Sequence, residues 1–205
     1  MALNPKTAYE KLVERSKEIS LLGSVSSVLH WDMETGMPDG GSHHRGDQLS
    51  LLGGMIHERF TDPVIAEWLE AIEGSDLVSD QRSDAAVNVR EIRREYDRAV
   101  KVPKRLVEDL ARVTSEAHVV WRDARKESDW SAFAPVLTRI VELKREQADA
   151  IASGATRYDT LMDAFEPGMT AQEMSSVFAG LISETKPIID AVVASGKKPN
   201  EAILT

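Results

Sequence analysis

The pair of residues that comes closest to a catalytic motif in this sequence is His57 followed by Glu58. A zinc-hydrolase helix places two histidines four residues apart, so that both imidazoles face one metal ion. The intervening glutamate then acts on the metal-bound water. The fourth residue after His57 is Thr61, which is a poor zinc ligand and lies at the predicted end of a helix. We therefore predict a surface His–Glu pair here, with Thr61 capping the segment that follows.

A second group of residues that could bind a metal lies at the start of the helical segment that contains His57. His43 and Asp47 are four residues apart, so a helix brings both onto one face. Two ligands do not make a metal site, and the sequence assigns no third. We favour polar residues of a first helical turn as the interpretation of His43 and His44. A self-contained bundle that binds metal through His43, His44 and His57 is an alternative. Two isolated histidines are predicted to be packed or surface imidazoles: His30 and His118.

Two carboxylates occur in segment 31–38, which reads Trp-Asp-Met-Glu-Thr-Gly-Met-Pro. Neighbouring carboxylates can act as an acid/base pair when their environments separate their pKa values. Asp32 and Glu34 are only two residues apart, however, and no helix face brings such a pair together. Corner carboxylates commonly accept backbone N–H groups or pair with an arginine such as Arg45, so we predict a structural role. Trp31, beside these charges at a helix break, is expected in a buried, hydrogen-bonded corner.

The composition excludes several other classes of function. The 205 residues include no cysteine, which removes thiolate catalysis, thiolate metal sites and disulfides. The net charge is −9 and the basic residues are spread singly along helical faces, so a nucleic-acid partner is not expected. No apolar run approaches the roughly 20 residues that cross a bilayer, and the first residues lack a signal-peptide core. We predict a cytoplasmic protein without a membrane partner.

The elements that must position these side chains are helices, because apolar residues recur every three or four positions along most of the chain. The first helix is predicted to start at Asn4-Pro5 and to end at the acidic segment, where Pro38 closes it. Ser42 is expected to cap the second helix. No stretch alternates with period two over enough residues to indicate a sheet. The predicted fold class is all-α, an elongated array of about eight helices.

Two later features of the helical pattern carry specific predictions. Thr170 and Glu173 have the spacing of a capping box for the eighth helix, and Pro187 should kink or break that helix. Trp121 and Trp130 flank the break between the fifth and sixth helices, where we expect them to pack the two helices together.

The domain organisation predicted from the sequence is one helical region, 1–195, followed by a linker-like tail, 196–205. The tail begins Gly196-Lys197-Lys198-Pro199-Asn200, which has the composition of a linker, and we predict a truncation point there. If the chain continues in a longer protein, some helix faces should be left uncovered. The segment 187–193 is the predicted example of such a face.

Five groups of residues occur along the sequence in a characteristic order. They are Leu29-His30-Trp31-Asp32-Met33-Glu34-Thr35-Gly36-Met37-Pro38; Gly40-Gly41 with Arg45 and Gln48-Leu49; His57-Glu58 before Thr61-Asp62-Pro63; Trp121-Arg122-Asp123-Ala124-Arg125 with Asp129-Trp130 and Phe133-Ala134-Pro135; and Tyr158-Asp159 leading to Glu166-Pro167-Gly168-Met169-Thr170. In this order the groups resemble the N-terminal part of the carboxypeptidase Taq family of metallocarboxypeptidases.

The resemblance implies a mainly helical fold, similar to other helical zinc peptidases, in which long helices wall a deep groove. Members of that family remove single residues from peptide C-termini. They use zinc or cobalt held by an H-E-x-x-H helix and a downstream glutamate, with metal-activated water as the nucleophile. They are commonly homodimers. For this chain the resemblance therefore implies a peptide substrate, a homodimer and a separate C-terminal catalytic part as partner.

The sequence departs from the family pattern because it contains no H-E-x-x-H. No catalytic, cofactor-binding or metal residue is therefore carried over, no cofactor is predicted in this chain, and the chain alone is predicted to be inactive. The residues that transfer only as a family signature, without an assigned role, are Trp31, Asp32, Glu34, Thr35, Pro38 and Arg45. The alternative hypothesis is a free-standing helical interaction module without catalytic activity.

Overall fold

The fold was analysed in a computed structural model, which describes residues 3–197 and Ala202. Those residues contain eight α-helices and no β-strand, as the sequence predicts. The helices are α1 (Pro5–Thr35), α2 (Ser42–Phe60), α3 (Pro63–Ile72), α4 (Asp84–Ala99), α5 (Lys104–Glu127), α6 (Trp130–Ile151), α7 (Arg157–Met162) and α8 (Ala171–Ala194). None of these helices combines the length and the apolar character that a membrane crossing requires.

The helices belong to two compact units, one ending at Ile151 and the other beginning at Ala152. The first unit contains α1 to α6, and the second contains α7 and α8. The boundary predicted at residue 195 stays a prediction, because most of the tail 196–205 lies outside the described residues.

The core of the first unit has two apolar clusters. In one, the start of α1 packs against α3 and α4, with Leu12, Leu69 and Ile72 fully buried and the rings of Phe60 and Tyr96 edge to face at 6.3 Å. Burying each such aliphatic side chain contributes about 1.5–3 kcal/mol. In the other, α5 packs on α6. Fully buried members of that second cluster are Leu106 and Leu143.

Side-chain caps define several helix starts as the sequence predicts, with two exceptions. Asn4 accepts the backbone N–H of Lys6 at 3.0 Å and so caps α1. Ser42 does not cap α2, because a 3-10 turn (Asp39–Gly41) already winds the backbone into that helix and makes Ser42 its first residue. Thr61 donates its hydroxyl back to the carbonyl of His57, while the next residue, Asp62, caps α3.

The second unit contains the predicted capping box, in which Thr170 and Glu173 each hydrogen-bond the other's backbone N–H. Pro187 does not break α8, which continues to Ala194. The helix tolerates the proline because its backbone is exposed at this point. Its missing N–H frees only the carbonyl of the exposed Ser183, which water can satisfy.

Candidate functional site

The signature segment 31–38 lies where α1 ends and the chain turns towards α2. Helix α1 continues through Thr35, so the first five residues of the segment are helical. The backbone N–H groups of Gly36 and Met37 both donate to the carbonyl of Asp32, at 2.9 and 2.8 Å. Pro38 then takes an extended conformation that starts the following 3-10 turn. The break is therefore a tight, hydrogen-bonded helix end.

The side chain of Arg45 joins the end of α1 to α2, and it is only 12% exposed. One guanidinium nitrogen lies 2.5 Å from a carboxylate oxygen of Asp32, and a second donates to the carbonyl of Leu29. The Nε group donates to Gln48 Oε1 at 3.0 Å. The predicted pairing of Asp32 with Arg45 is present, and the fork-shaped guanidinium joins α2 to α1 through two acceptors, Asp32 and Leu29, while Gln48 of α2 orients it.

Helix α5 holds the same segment from another side. A carboxylate oxygen of Glu34 lies 3.2 Å from His118 Nδ1. The sequence offers His118 no neighbouring partner, but the fold supplies one from α1. The hydroxyl of Ser115 donates to the sulfur of Met33 at 3.3 Å. Together with the Asp32–Arg45 pair, these contacts form what we call the signature junction: the end of α1 held by Arg45 of α2 and by Ser115, His118 and Arg122 of α5. Arg122 belongs to the junction through the 3-10 turn that follows α1, where it pairs with Asp39 at 2.8 Å.

Trp31 does not lie in a buried corner, since 66% of its surface is exposed. Because α1 continues through Thr35, residues 31, 32 and 33 point in directions about 100° apart around the helix. Asp32 and Met33 reach α2 and α5, respectively, and Trp31 faces solvent. The prediction assumed an irregular corner at this point, where a regular helix end exists.

The carboxylates of Asp32 and Glu34 have separate partners, on α2 and on α5. Each contacts a side chain of another helix, and neither shares a proton-transfer partner with the other. The geometry fits the structural role that the sequence favours for both side chains.

The zinc-motif candidates have structural partners as well. Glu58 accepts from Lys104 of α5 at 2.6 Å, and this hydrogen bond lowers the pKa of the Glu58 carboxyl. Burial lowers the pKa of His57, against an opposing hydrogen bond to the backbone of Val102. The hydroxyl of Thr61 is used within its own helix end. These side chains brace the end of α2 against the start of α5.

The histidines at the start of α2 do not complete a metal centre either. His43 is exposed and lies 3.8 Å from Asp47 and 3.4 Å from Glu116, whereas His44 has no such neighbour in the described contacts. Across residues 3–197 and Ala202, no group of three His, Cys, Asp or Glu side chains could hold a metal ion. The described donor set therefore does not fit a catalytic zinc or cobalt ion.

The two tryptophans that flank the α5–α6 break make their aromatic contacts within their own helices, and their packing of the two helices together stays a prediction. Trp130 contacts Phe133 of its own helix edge to face at 6.2 Å, and Trp121 lies 6.3 Å from His118 of its own helix. Both indoles remain exposed and line an open cavity of about 340 Å³ with Arg125. The helical spacing of these aromatic pairs was visible in the sequence, but their exposure was not.

The chain is similar to known peptidases over nearly its whole length. A sequence model of the family described as Carboxypeptidase Taq (M32) metallopeptidase matches residues 11–205. Thermostable carboxypeptidase 1 of Thermus thermophilus is 42% identical over 211 residues, a match that covers 98% of this chain and 41% of that protein. Carboxypeptidase 1 of Bacillus subtilis is 29% identical, with 96% of this chain and 39% of that protein covered.

Solved structures give the same result for the fold. Metallocarboxypeptidase 1 of Trypanosoma cruzi matches 95% of this chain and 40% of its own with a TM-score of 0.71 and 30% identity. The M32 carboxypeptidase of Deinococcus radiodurans matches 95% of this chain and 39% of its own with a TM-score of 0.74 and 28% identity. The chain spans about two-fifths of the length of the curated relatives it matches. With the family model matching residues 11–205, the chain belongs to the carboxypeptidase Taq (M32) family of metallopeptidases.

Proposed function

We propose that this chain serves as the N-terminal helical part of a metal-dependent carboxypeptidase, where it supplies one wall or lid of the peptide-binding groove. The observation that carries the proposal is the combination of family membership with an incomplete motif set. The family model matches residues 11–205, yet the sequence contains no H-E-x-x-H. The parent activity would be removal of C-terminal amino acids from peptides by metal-activated water.

The signature junction supports this role because helices that line a groove need fixed relative positions. In this chain, contacts between side chains of α1, α2 and α5 would supply them, and no metal ion is needed. Arg45 of α2 pairs with Asp32 at the end of α1, and His118 and Arg122 of α5 contact Glu34 and, in the turn that follows, Asp39. The Arg45 side chain is the least exposed of these three, so its hydrogen-bonded contact should contribute most to fixing the direction of α1.

The partners of the proposed enzyme follow from the family. They are a C-terminal catalytic part that carries zinc or cobalt, a peptide substrate and a second copy in a homodimer. A cytoplasmic location stays part of the proposal. In this proposal the present chain contributes helices and ion pairs. The metal ligands and the groups that bind the C-terminal carboxylate of the peptide substrate are assigned to the catalytic part.

The test is a metal and activity assay on the 205-residue chain. We expect no release of C-terminal amino acids from an N-blocked dipeptide with added Zn²⁺ or Co²⁺, and no stoichiometric metal by elemental analysis. Stoichiometric zinc that the substitution His57→Ala abolishes would refute the proposal. So would hydrolysis by the chain alone.

The coding sequence beyond residue 205 separates the proposal from the interaction-module alternative. A reading frame that continues into H-E-x-x-H supports the proposal. A stop codon directly after residue 205 would favour a free-standing module.

A further inference from the structure

Helix α8 carries a long apolar face that no other described element of its own unit covers. Its large aliphatic and aromatic side chains are each more than half exposed, although the helix is regular from Ala171 to Ala194. The six that form the centre of this face, which we call the α8 face, are Phe178, Leu181, Ile182, Ile188, Ile189 and Val192. The predicted uncovered segment, 187–193, is one half of this face.

The spacing along the α8 face indicates what kind of surface fits against it. Positions 174, 178, 181, 185, 188 and 192 alternate steps of four and three residues, and all but Thr185 are apolar. This is the repeat that lets one helix pack along another with side chains interlocked. A helical partner therefore fits the face better than a flat sheet or a small ligand.

The opposite side of α8 argues against a membrane as the occupant. Helices that lie on anionic bilayers have lysine and arginine on their polar side. The charged residues of α8 are Glu173, Glu184, Lys186 and Asp190, so acidic groups outnumber basic ones by three to one. The single lysine is already paired with Asp190 at 2.7 Å.

We infer that the α8 face is the docking surface for the helical C-terminal part of the family protein, an inference that rests on the proposed function. More than half of the Thermus thermophilus relative lies outside its match to this chain, which leaves a polypeptide large enough to bury the whole face. Monomeric soluble proteins rarely leave a contiguous apolar patch of this kind exposed, so a long helix of this type requires a partner.

The test is co-expression of the tagged 205-residue chain with the part of the Thermus thermophilus relative that lies outside the match. We expect the two polypeptides to purify together in a 1:1 ratio. The double substitution Phe178→Glu/Leu181→Glu should lower the recovered complex at least tenfold, because docking would bury two carboxylates. Ser176→Glu adds the same group on the opposite side of α8 and should leave recovery within twofold of the unsubstituted chain.

Each other outcome of this experiment counts against the inference. Equal recovery of both variants would show that the partner binds elsewhere, and no complex with the unsubstituted chain would show that the face is not a docking surface for it. Light scattering that shows a dimer of the chain alone, lost in the double variant, would assign the face to a second copy. A large fall in the melting temperature of the isolated double variant would show that the face packs within the chain.

Peptidase activity of the recovered complex is scored separately. A complex that depends on the α8 face but hydrolyses no peptide would contradict the proposed function and leave the docking inference standing.

Discussion

Replacing Arg45 by methionine should destabilise the first unit by about 2–3 kcal/mol. Methionine keeps an unbranched apolar stem, so the substitution removes the guanidinium and its three hydrogen bonds, to Asp32, Leu29 and Gln48. Hydrogen bonds from a charged donor contribute about 1.5–3 kcal/mol each when buried. Their sum is discounted here because the Asp32 carboxylate is 42% exposed and becomes hydrated when its partner is removed.

The assay is urea unfolding of the Arg45→Met chain followed by circular dichroism, with thermal unfolding as a second measurement. For a unit of about 150 residues, the expected loss corresponds to a melting temperature about 4–12 °C lower. The matched control is Arg90→Met. Arg90 pairs only with its exposed neighbour Glu91, so its loss should cost less than about 0.5 kcal/mol.

A double-mutant cycle with Asp32→Asn separates the ion pair from the other two contacts. We expect a coupling energy of about 1 kcal/mol between Asp32 and Arg45. If Arg45→Met destabilises the chain no more than Arg90→Met does, the signature junction does not hold α1 to α2, and its assigned role is wrong.

Three further predictions concern the second unit. Gly154→Ala should destabilise it by about 1–3 kcal/mol, since the new Cβ would lie 2.7 Å from the backbone nitrogen of Thr160. Gly180→Ala in α8 should instead stabilise it by up to about 1 kcal/mol, because the space is open and alanine is the better helix former; thermal unfolding of both variants gives the signs. The backbone N–H of Ala171, donated to Asp159, holds the pKa of that carboxyl below its usual range. The resulting stability should be complete above about pH 4 and lost as the pH falls through the lower folded-state pKa; Asp159→Asn should remove that acid dependence from urea titrations.

The contrast between Gly154 and Gly180 illustrates why residue type alone does not decide the effect of a substitution. Both are glycines of the same unit. One lies against the backbone of a neighbouring turn and the other on an open helix surface. The sign of each prediction therefore comes from the tertiary structure.

The chain is similar to only part of the Thermus thermophilus and Bacillus subtilis carboxypeptidases. The matched part accounts for about two-fifths of each relative. Within it, His57 and Glu58 occupy a helix end, and the contacts of Glu58 are to a lysine of α5. In this arrangement Glu58 is an ion-pair partner that joins α2 to α5.

The sequence by itself was sufficient to predict the all-α class, the approximate number of helices and the capping box of α8, although the second capping box, Thr156 with Asp159 at α7, was not predicted. These depend on local interactions, such as apolar spacing and a threonine three residues before a glutamate, which a single segment contains in full. The same holds for the missing metal motif, because the spacing of two histidines is a property of the sequence alone.

Only the tertiary structure decided which side chains meet across the chain and which remain uncovered. Glu34 and His118 are 84 residues apart, and no local pattern pairs them. Trp31 is of a residue type that is usually buried, yet it is exposed, since burial depends on what packs against a helix and not on the helix itself. For the α8 face, the sequence predicted exposure only of the half at 187–193. Contacts between distant segments form only when the helices assemble, and they are what joins the end of α1 to α2 and α5.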